Sequence, residues 1–432
     1  MLKKIIQSRQ LYILLGIFSI FVFLFSRTFM GVFVLSYRTG EIVFLLSLFF
    51  FLLSIFINHG ILLKNKTWSN QIRYTLLLLV IHFLFSVITS KGSFTDLYIY
   101  RSSSYIWSIG FLYLSLIIFE KRKPSINYMY ALIASLVWIY IYNIYGLSDQ
   151  LQNLLLIISD KFEYHKGSDL LIMFVVTFFV INRMIINKRT TFEIFIVFSS
   201  LYLPILLFKS RSAFIAFFIF FILEIIYLKP AIGNQTKRNF ILFIVSTLIL
   251  IQSIFIVTKS GYIKIEEISI RAEQIIDYRL TIPSESEKSF LYIEDAKIYS
   301  TDGNLNWRLQ IWQDVLFDLA DNNKLSTGYG FISIIPVMDD PIRRGEDGTN
   351  ENVHNFLINI LARAGVIGLL LYLSFFFFLF KEITKTSNNF QVFNLVTPIF
   401  ITSLFDASME NSHFPILLYI TIGLYIQNLT KN

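Results

Sequence analysis

Three side chains in this sequence join chemistry to position: Arg211, Arg308 and His354. An arginine's planar fork binds phosphate oxygens two at a time, and a neutral imidazole is the side chain best placed to take a hydroxyl proton near neutral pH. Two such cations beside such a base suit an anionic donor and a hydroxyl acceptor. Arg211 sits in Lys209-Ser210-Arg211-Ser212, a very short hairpin between two apolar runs, where Lys209 adds a second, less directional charge. Arg308 lies one turn before Trp312, and His354 precedes Asn355 at the start of an apolar helix. The dipole of that helix disfavours a further positive charge on the ring. Each of the three also has an ordinary structural role: snorkelling for Arg211, a solvated helix charge for Arg308, capping or packing for His354. Asp406 and Glu410 follow a later apolar run and offer a carboxylate pair that serves as acid and base or partners the arginines.

The elements that carry these residues are membrane helices. The 432 residues are 55% hydrophobic and 17% aromatic, with mean hydropathy +0.63, outside the range of soluble domains. A bilayer core takes about 20 apolar residues per helix. The sequence supplies about twelve such runs, at 11–26, 41–57, 74–90, 104–119, 126–145, 169–186, 192–208, 212–228, 238–258, 355–380, 390–405 and 415–428. The expected fold is therefore all-α and polytopic. Lys3, Lys4 and Arg9 precede the first run, which ends without small residues and reads as an uncleaved span.

The net charge of +8 does not mark a nucleic-acid binder, because the basic residues fall in alternate short loops. Lys64, Lys66 and Arg73 form one set, Lys121, Arg122 and Lys123 the next, followed by Arg183, Lys188 and Arg189, then Lys229, Lys237 and Arg238, then Lys381 and Lys385. With these loops inside, both termini are cytoplasmic and the polar stretch 259–353 is external. The chain thus divides into helices over 1–258, an external loop domain over 259–353, and the last helices over 354–432. Within the loop, Leu305, Leu309, Trp312, Leu316 and Leu319 recur at helical spacing and predict an amphipathic helix, with Thr301, Asp302 and Asn304 placed to cap it. Gly328-Tyr329-Gly330 and Asp339-Asp340-Pro341 mark turns, Pro283 to Lys288 an irregular middle, and Arg343 to Asn352 a flap.

The sequence has no cysteine, which excludes disulfides and thiolate chemistry. His59, His82, His165 and His413 lack metal-ligand spacing, and no phosphate-loop or dinucleotide glycine pattern occurs.

Taken in order, the motifs resemble the O-antigen ligase and polymerase superfamily of bacterial envelope glycosyltransferases. The resemblance is carried by Ser210-Arg211 opening the eighth span, Arg308 with Trp312, Gly328-Tyr329-Gly330, and His354-Asn355. After His354-Asn355 come nine residues and then Gly365-Val366-Ile367-Gly368. Asp406 also resembles a family position. The motifs cover about residues 192–428, and the first five spans match in hydropathy alone.

That resemblance implies a GT-C-like membrane fold in the bacterial cytoplasmic (inner) membrane, with the site on its extracytoplasmic side. It implies an undecaprenyl-diphosphate-linked glycan donor, with lipid A–core or a second lipid-linked glycan as acceptor. His354 would be the base, Arg211 and Arg308 the diphosphate ligands, and Lys209, Asn355 and Asp406 supporting residues. Transfer would be inverting, with no nucleotide sugar, no cofactor and no required metal. The complete histidine–asparagine signature favours a ligase, with a repeat-unit polymerase as the alternative. A transporter or flippase for polyprenyl-linked sugars would need ionisable groups at mid-membrane depth and symmetry between halves. Glu224 and Arg363 are the clearest ionisable residues in the spans, and no symmetry is evident.

Overall fold

The computed structural model describes residues 9–56, 70–120, 124–162, 164–185, 187–229, 236–279, 290–344, 351–384, 389–406 and 408–429. The charges at Lys3, Lys4, Lys64, Lys66, Lys121, Arg122, Lys123 and Lys385, the stretch from Pro283 to Lys288, residues 345–350 of the flap, and His59 lie outside them.

In chain order, α1 (Arg9–Met30) leads into a small hairpin, β1 (Phe33–Val34) and β2 (Tyr37–Arg38), and then α2 (Thr39–Phe56) and α3 (Asn70–Thr89). Short helices α4 (Leu97–Ser102) and α5 (Ser104–Trp107) run into α6 (Gly110–Phe119), followed by α7 (Ile126–Tyr145) and α8 (Asp149–Ile158). Next come α9 (Gly167–Met184), α10 (Lys188–Lys209), α11 (Arg211–Leu228) and α12 (Thr236–Arg279). A second hairpin, β3 (Leu291–Glu294) and β4 (Lys297–Ser300), precedes α13 (Gly303–Asp321). The chain closes with α14 (Phe356–Thr384), α15 (Asn389–Ser403) and α16 (His413–Leu429).

Eight helices among the described residues are long and apolar enough to cross a membrane: α1, α3, α7, α9, α10, α11, the first 23 residues of α12, and α14. Shorter apolar helices stand at the other four expected positions, Thr39–Ile55, Ser104–Phe119, Phe390–Ser403 and His413–Ile426. The fold is that of a polytopic membrane protein, with departures from an all-α chain. The β3–β4 hairpin turns on Asp295 (φ 48) and Ala296 (φ 60), and positive φ at both central residues lets a two-residue turn follow the strand twist. The ninth span does not stop near 258: α12 continues as helix to Arg279, for 44 residues in all.

Burial ranks the helices. The apolar window of α9 is 83% buried, whereas that of α12 is 17% buried, so α9 is the central post and α12 faces outward. Around α9 the rings of Phe174, Phe178, Phe195, Tyr202 and Phe217 pack at centroid distances of 4.6 to 6.2 Å.

Helix α13 lies outside this bundle and has its own small core. Ile311, Val315 and Leu319 are buried against Ile335, Met338, Val353 and Ala362. The buried stripe keeps Leu319 of the expected one, with Trp312 packed beside it, but is rotated toward Ile311 and Val315, and Leu316 is exposed. Both faces of the helix carry apolar residues, and the one that buries is the one that meets the 335–338 turn and α14.

Two glycines explain how the loop locks to the bundle. Gly365 (φ 64) breaks α14, freeing backbone groups on either side of the break. Residues 325–330 fill the gap: the amides of Tyr329 and Gly330 donate to the carbonyls of Ala362 and Arg363 (2.8 and 2.9 Å), while the amide of Val366 donates to the Leu325 carbonyl (2.9 Å). Gly328 (φ 71) touches the Arg363 backbone, where a Cβ would approach within 2.4 Å. Backbone groups released by the break thus find partners in the inserted loop, as a buried backbone requires.

Candidate functional site

The first turns of α13 are the hub. Asp302 caps the helix, its Oδ1 accepting from the Leu305 amide at 2.9 Å, while its Oδ2 accepts from Arg211 Nη1. Arg211 opens α11, capped by Ser210, and its side chain is 76% exposed. Burial raises the pKa of Asp302, but the amide of Leu305 and the guanidinium of Arg211 outweigh it and hold the carboxyl below its ordinary value.

Arg308 follows little more than a turn into α13. Burial lowers its pKa, and the carboxylates of Asp406 and Asp302 act against that. Its Nε is buried with no hydrogen-bond partner among the described residues. Asp406 is itself fixed by Ser168, whose hydroxyl donates to Oδ2 at 2.5 Å. Beside Arg308, Trp307 lays its ring against the His354 imidazole, with centroids 4.9 Å apart. His354 has φ 52, an uncommon conformation for a residue with a Cβ, and it follows a carbonyl held by Trp312 Nε1 (Nε1 to Val353 O, 2.7 Å). The Asn355 side chain caps α14 by accepting from the Ile358 amide at 3.1 Å.

Arg211, Arg308, His354 and Asp406 thus meet around Asp302 to Trp312, a stretch of about 15 Å of helix at 1.5 Å per residue. The guanidiniums supply positive charge, and the imidazole packs on Trp307, the residue before Arg308, on a backbone of uncommon φ. Lys209 points elsewhere: its Nζ donates to the His165 carbonyl at 3.2 Å. Arg343 pairs with Asp314 at 2.7 Å and Arg344 binds the Met338 carbonyl at 2.8 Å, so both brace the loop.

Several residues of this region have partners that the sequence does not announce. Asp169 joins His413 at 2.8 Å behind Ser168, and His165 stands on Asn143 at 3.1 Å in the same buried patch. Burial above all pushes the His165 pKa down, to about 4, so its ring is neutral. Glu410 has its pKa pushed up to about 8 by burial, opposed by Arg363 and reinforced by Asp406. A Gly-Ser-Asp at the head of an apolar run was the available clue to the Ser168–Asp169 pair, while their partners lie far along the chain, Asp406 being 238 residues from Ser168.

Residues 194–373 match the family model for O-Antigen ligase, and the resemblance to the O-antigen ligase superfamily is thereby shown over that part of the chain. The matched stretch contains Arg211, Arg308 and His354. It supports a membrane glycosyltransferase of the O-antigen ligase and polymerase type. No curated protein matches the chain.

Proposed function

We propose that this protein transfers a glycan from undecaprenyl diphosphate to an acceptor sugar hydroxyl at the outer face of a bacterial cytoplasmic membrane, as an O-antigen ligase does. The observation that carries this reading is the meeting of Arg211, Arg308 and His354 on the first turns of α13. The glycosyl–diphosphate bond is already activated, so the protein has to orient two substrates and stabilise the departing lipid diphosphate. Arg308, whose Nε has no hydrogen-bond partner among the described residues, and the exposed Arg211 would receive the diphosphate oxygens. His354 takes the proton of the attacking hydroxyl, a role that contributes about 10²–10⁴-fold, and positioning can remove about 7–11 kcal/mol of the barrier. Attack from the face opposite the diphosphate inverts the anomeric centre, and the diphosphate leaves with the bonding electrons.

The test is a chromosomal deletion complemented with the intact gene or with His354→Ala, read on envelope glycan gels. A ligase is expected to leave long chains on the lipid carrier and none on lipid A–core in both the deletion and the variant. Survival of single repeat units alone would establish the polymerase instead. Normal glycans with His354→Ala would remove His354 as the base.

A further inference from the structure

The end of the bundle that bears the transfer site carries a second set of cations, on elements that the family match does not reach. Arg27 lies in the last turn of α1, Arg38 ends the β1–β2 hairpin, Arg101 is in α4, and Lys161 follows α8 on the way into α9. Direct contacts hold three of these segments together. The Ser159 hydroxyl donates to the Thr28 carbonyl at 2.7 Å, Ser159 bridges to Val32, and Arg38 pairs with Asp160. Lys161 packs so closely on Gly31 that a Cβ added there would lie 2.7 Å from the lysine's own. Burial, then the charges of Arg27, Arg38 and Arg101, lower the pKa of Lys161 against the pull of Asp160, so Arg101 completes the group.

The turn 406–412 joins this group to the transfer site. A Cβ on Gly40 would lie 3.4 Å from Ser412 Oγ. The charges of Asp406 and Arg101 both act on Glu410, and Asp406 acts in turn on Arg308. Asp160 and Glu41 both engage Arg38, and Glu410, its pKa pushed up to about 8 by burial, adds little negative charge at neutral pH. The four cations therefore outnumber the carboxylates set among them. Arg101 is exposed, and neither its guanidinium nor the Lys161 ammonium makes a hydrogen bond or ion pair among the described residues. In the orientation that the basic loops imply, this end is external, where positive charge is disfavoured. Cations gathered there, at the level of the lipid headgroups, are placed for an anionic group at the membrane surface.

Resting on the glycan-transfer reading, we propose that this patch is the acceptor subsite: Arg101 and Lys161, backed by the charges of Arg27 and Arg38, hold a phosphoryl group of the lipid that carries the acceptor glycan. The arginine's fork takes two phosphate oxygens side by side, and the lysine adds a point charge. The acceptor is then anchored on one side of the turn 406–412 and the donor diphosphate on the other, at Arg308. The phosphoryl group belongs to lipid A in a ligase and to a second undecaprenyl diphosphate in a polymerase.

The test is native mass spectrometry of the purified full chain in detergent, offered bisphosphorylated lipid A, dephosphorylated lipid A or undecaprenyl diphosphate one at a time. For a ligase, wild type is expected to retain bisphosphorylated lipid A about tenfold better than the dephosphorylated form, a ratio set by charge-assisted hydrogen bonds. Arg101→Gln combined with Lys161→Gln is expected to lose that preference, and Arg308→Gln to keep it. For a polymerase, wild type is expected to bind two copies of undecaprenyl diphosphate and the combined variant one. Arg101→Gln alone, at an exposed side chain, carries the test if the combined variant fails to fold. Variants that retain both phosphorylated lipids as wild type does would overturn the subsite. The readout needs no turnover, so that failure is distinct from failure of the transfer reading, which the gene deletion decides. Unchanged glycans in the deletion would overturn the acceptor role as well.

Discussion

Asp302 serves Arg211 and helix α13 with one carboxylate: Oδ2 receives the Arg211 guanidinium while Oδ1 caps the helix at Leu305. The cap orients Arg308 and Trp307, so the two arginines and the histidine contact share one anchor. Substitution separates the two tasks. Asp302→Ser keeps a capping oxygen but releases Arg211, and Asp302→Ala gives up both. Alanine is expected to cost about 1 kcal/mol of stability and serine far less. Both are expected to lower glycan transfer at limiting donor by about tenfold or more, because a misplaced ligand forfeits orientation. Transfer by the serine variant at the wild-type rate would show that Arg211 needs no support from Asp302.

Gly365→Ala tests the join between the loop and the bundle. At φ 64 a side chain is strained, and the added Cβ would lie 2.2 Å from the Ser326 carbonyl oxygen. The inserted segment would have to back away from the break in α14, leaving the Ala362 and Arg363 carbonyls without their donors. The strain alone is about 1–3 kcal/mol, before the lost hydrogen bonds. A large drop in melting temperature in detergent is expected, with loss of transfer. Gly368→Ala would be a poor control, since its Cβ would lie 2.2 Å from the Ala364 Cβ and 3.2 Å from His82 Cε1. Gly16→Ala, with nothing within 4 Å of the added Cβ, is the proper one.

The spans were legible because an apolar run long enough to cross a bilayer seldom forms anything but a membrane helix, and helices stand at all the expected positions. The cap at Asp302 and the turn at Gly328 were legible for a local reason: both depend on residue type within a few positions. The buried face of α13 was legible only in part, because the sequence shows which residues are apolar but not which face meets a partner: Leu319 of the expected stripe is buried and Trp312 packs beside it, but Ile311 and Val315 complete the core and Leu316 is exposed. Nor was the backbone exchange at Gly365 legible, since it joins 325–330 to 362–367 through main-chain groups that no side chain announces. Lys209 shows the same limit: its charge was visible, but its turn toward the His165 carbonyl is set by α9 packing beside it.

Glu410 predicts a pH dependence with a definite sign. Its pKa is raised from 4.5 to about 8, by burial first, against the pull of Arg363 and with the push of Asp406. Between those values the folded protein keeps a proton that the unfolded chain has released, so stability falls as pH rises through that window. Glu410→Gln, which is neutral at every pH, removes this contribution. The wild-type melting temperature in detergent is expected to fall more steeply than the variant's from about pH 5 to pH 8. Parallel curves for the two proteins would mean that Glu410 titrates alike in both states.

Trp312 predicts an effect on rate through His354 without contact to substrate. Its indole Nε1 holds the Val353 carbonyl at 2.7 Å, the peptide that enters His354 at φ 52. A backbone in that region persists when its surroundings hold it, and this hydrogen bond is one of the constraints. Trp312→Phe keeps most of the ring packing against Phe405 (centroids 6.1 Å apart) and deletes the donor. The cost in stability is modest, about 1 kcal/mol for one lost hydrogen bond. The cost in rate is larger in proportion, because His354 must meet a hydroxyl proton at hydrogen-bond distance and a relaxed backbone swings the ring off line. Maximal transfer is expected to fall about tenfold or more while half-saturation by the donor stays put, since Arg211 and Arg308 are untouched. Trp307→Phe, which keeps a ring against the imidazole, is expected to do less. A shift in donor half-saturation with an unchanged maximal rate would place Trp312 at the diphosphate instead, and would break the link between this hydrogen bond and the base.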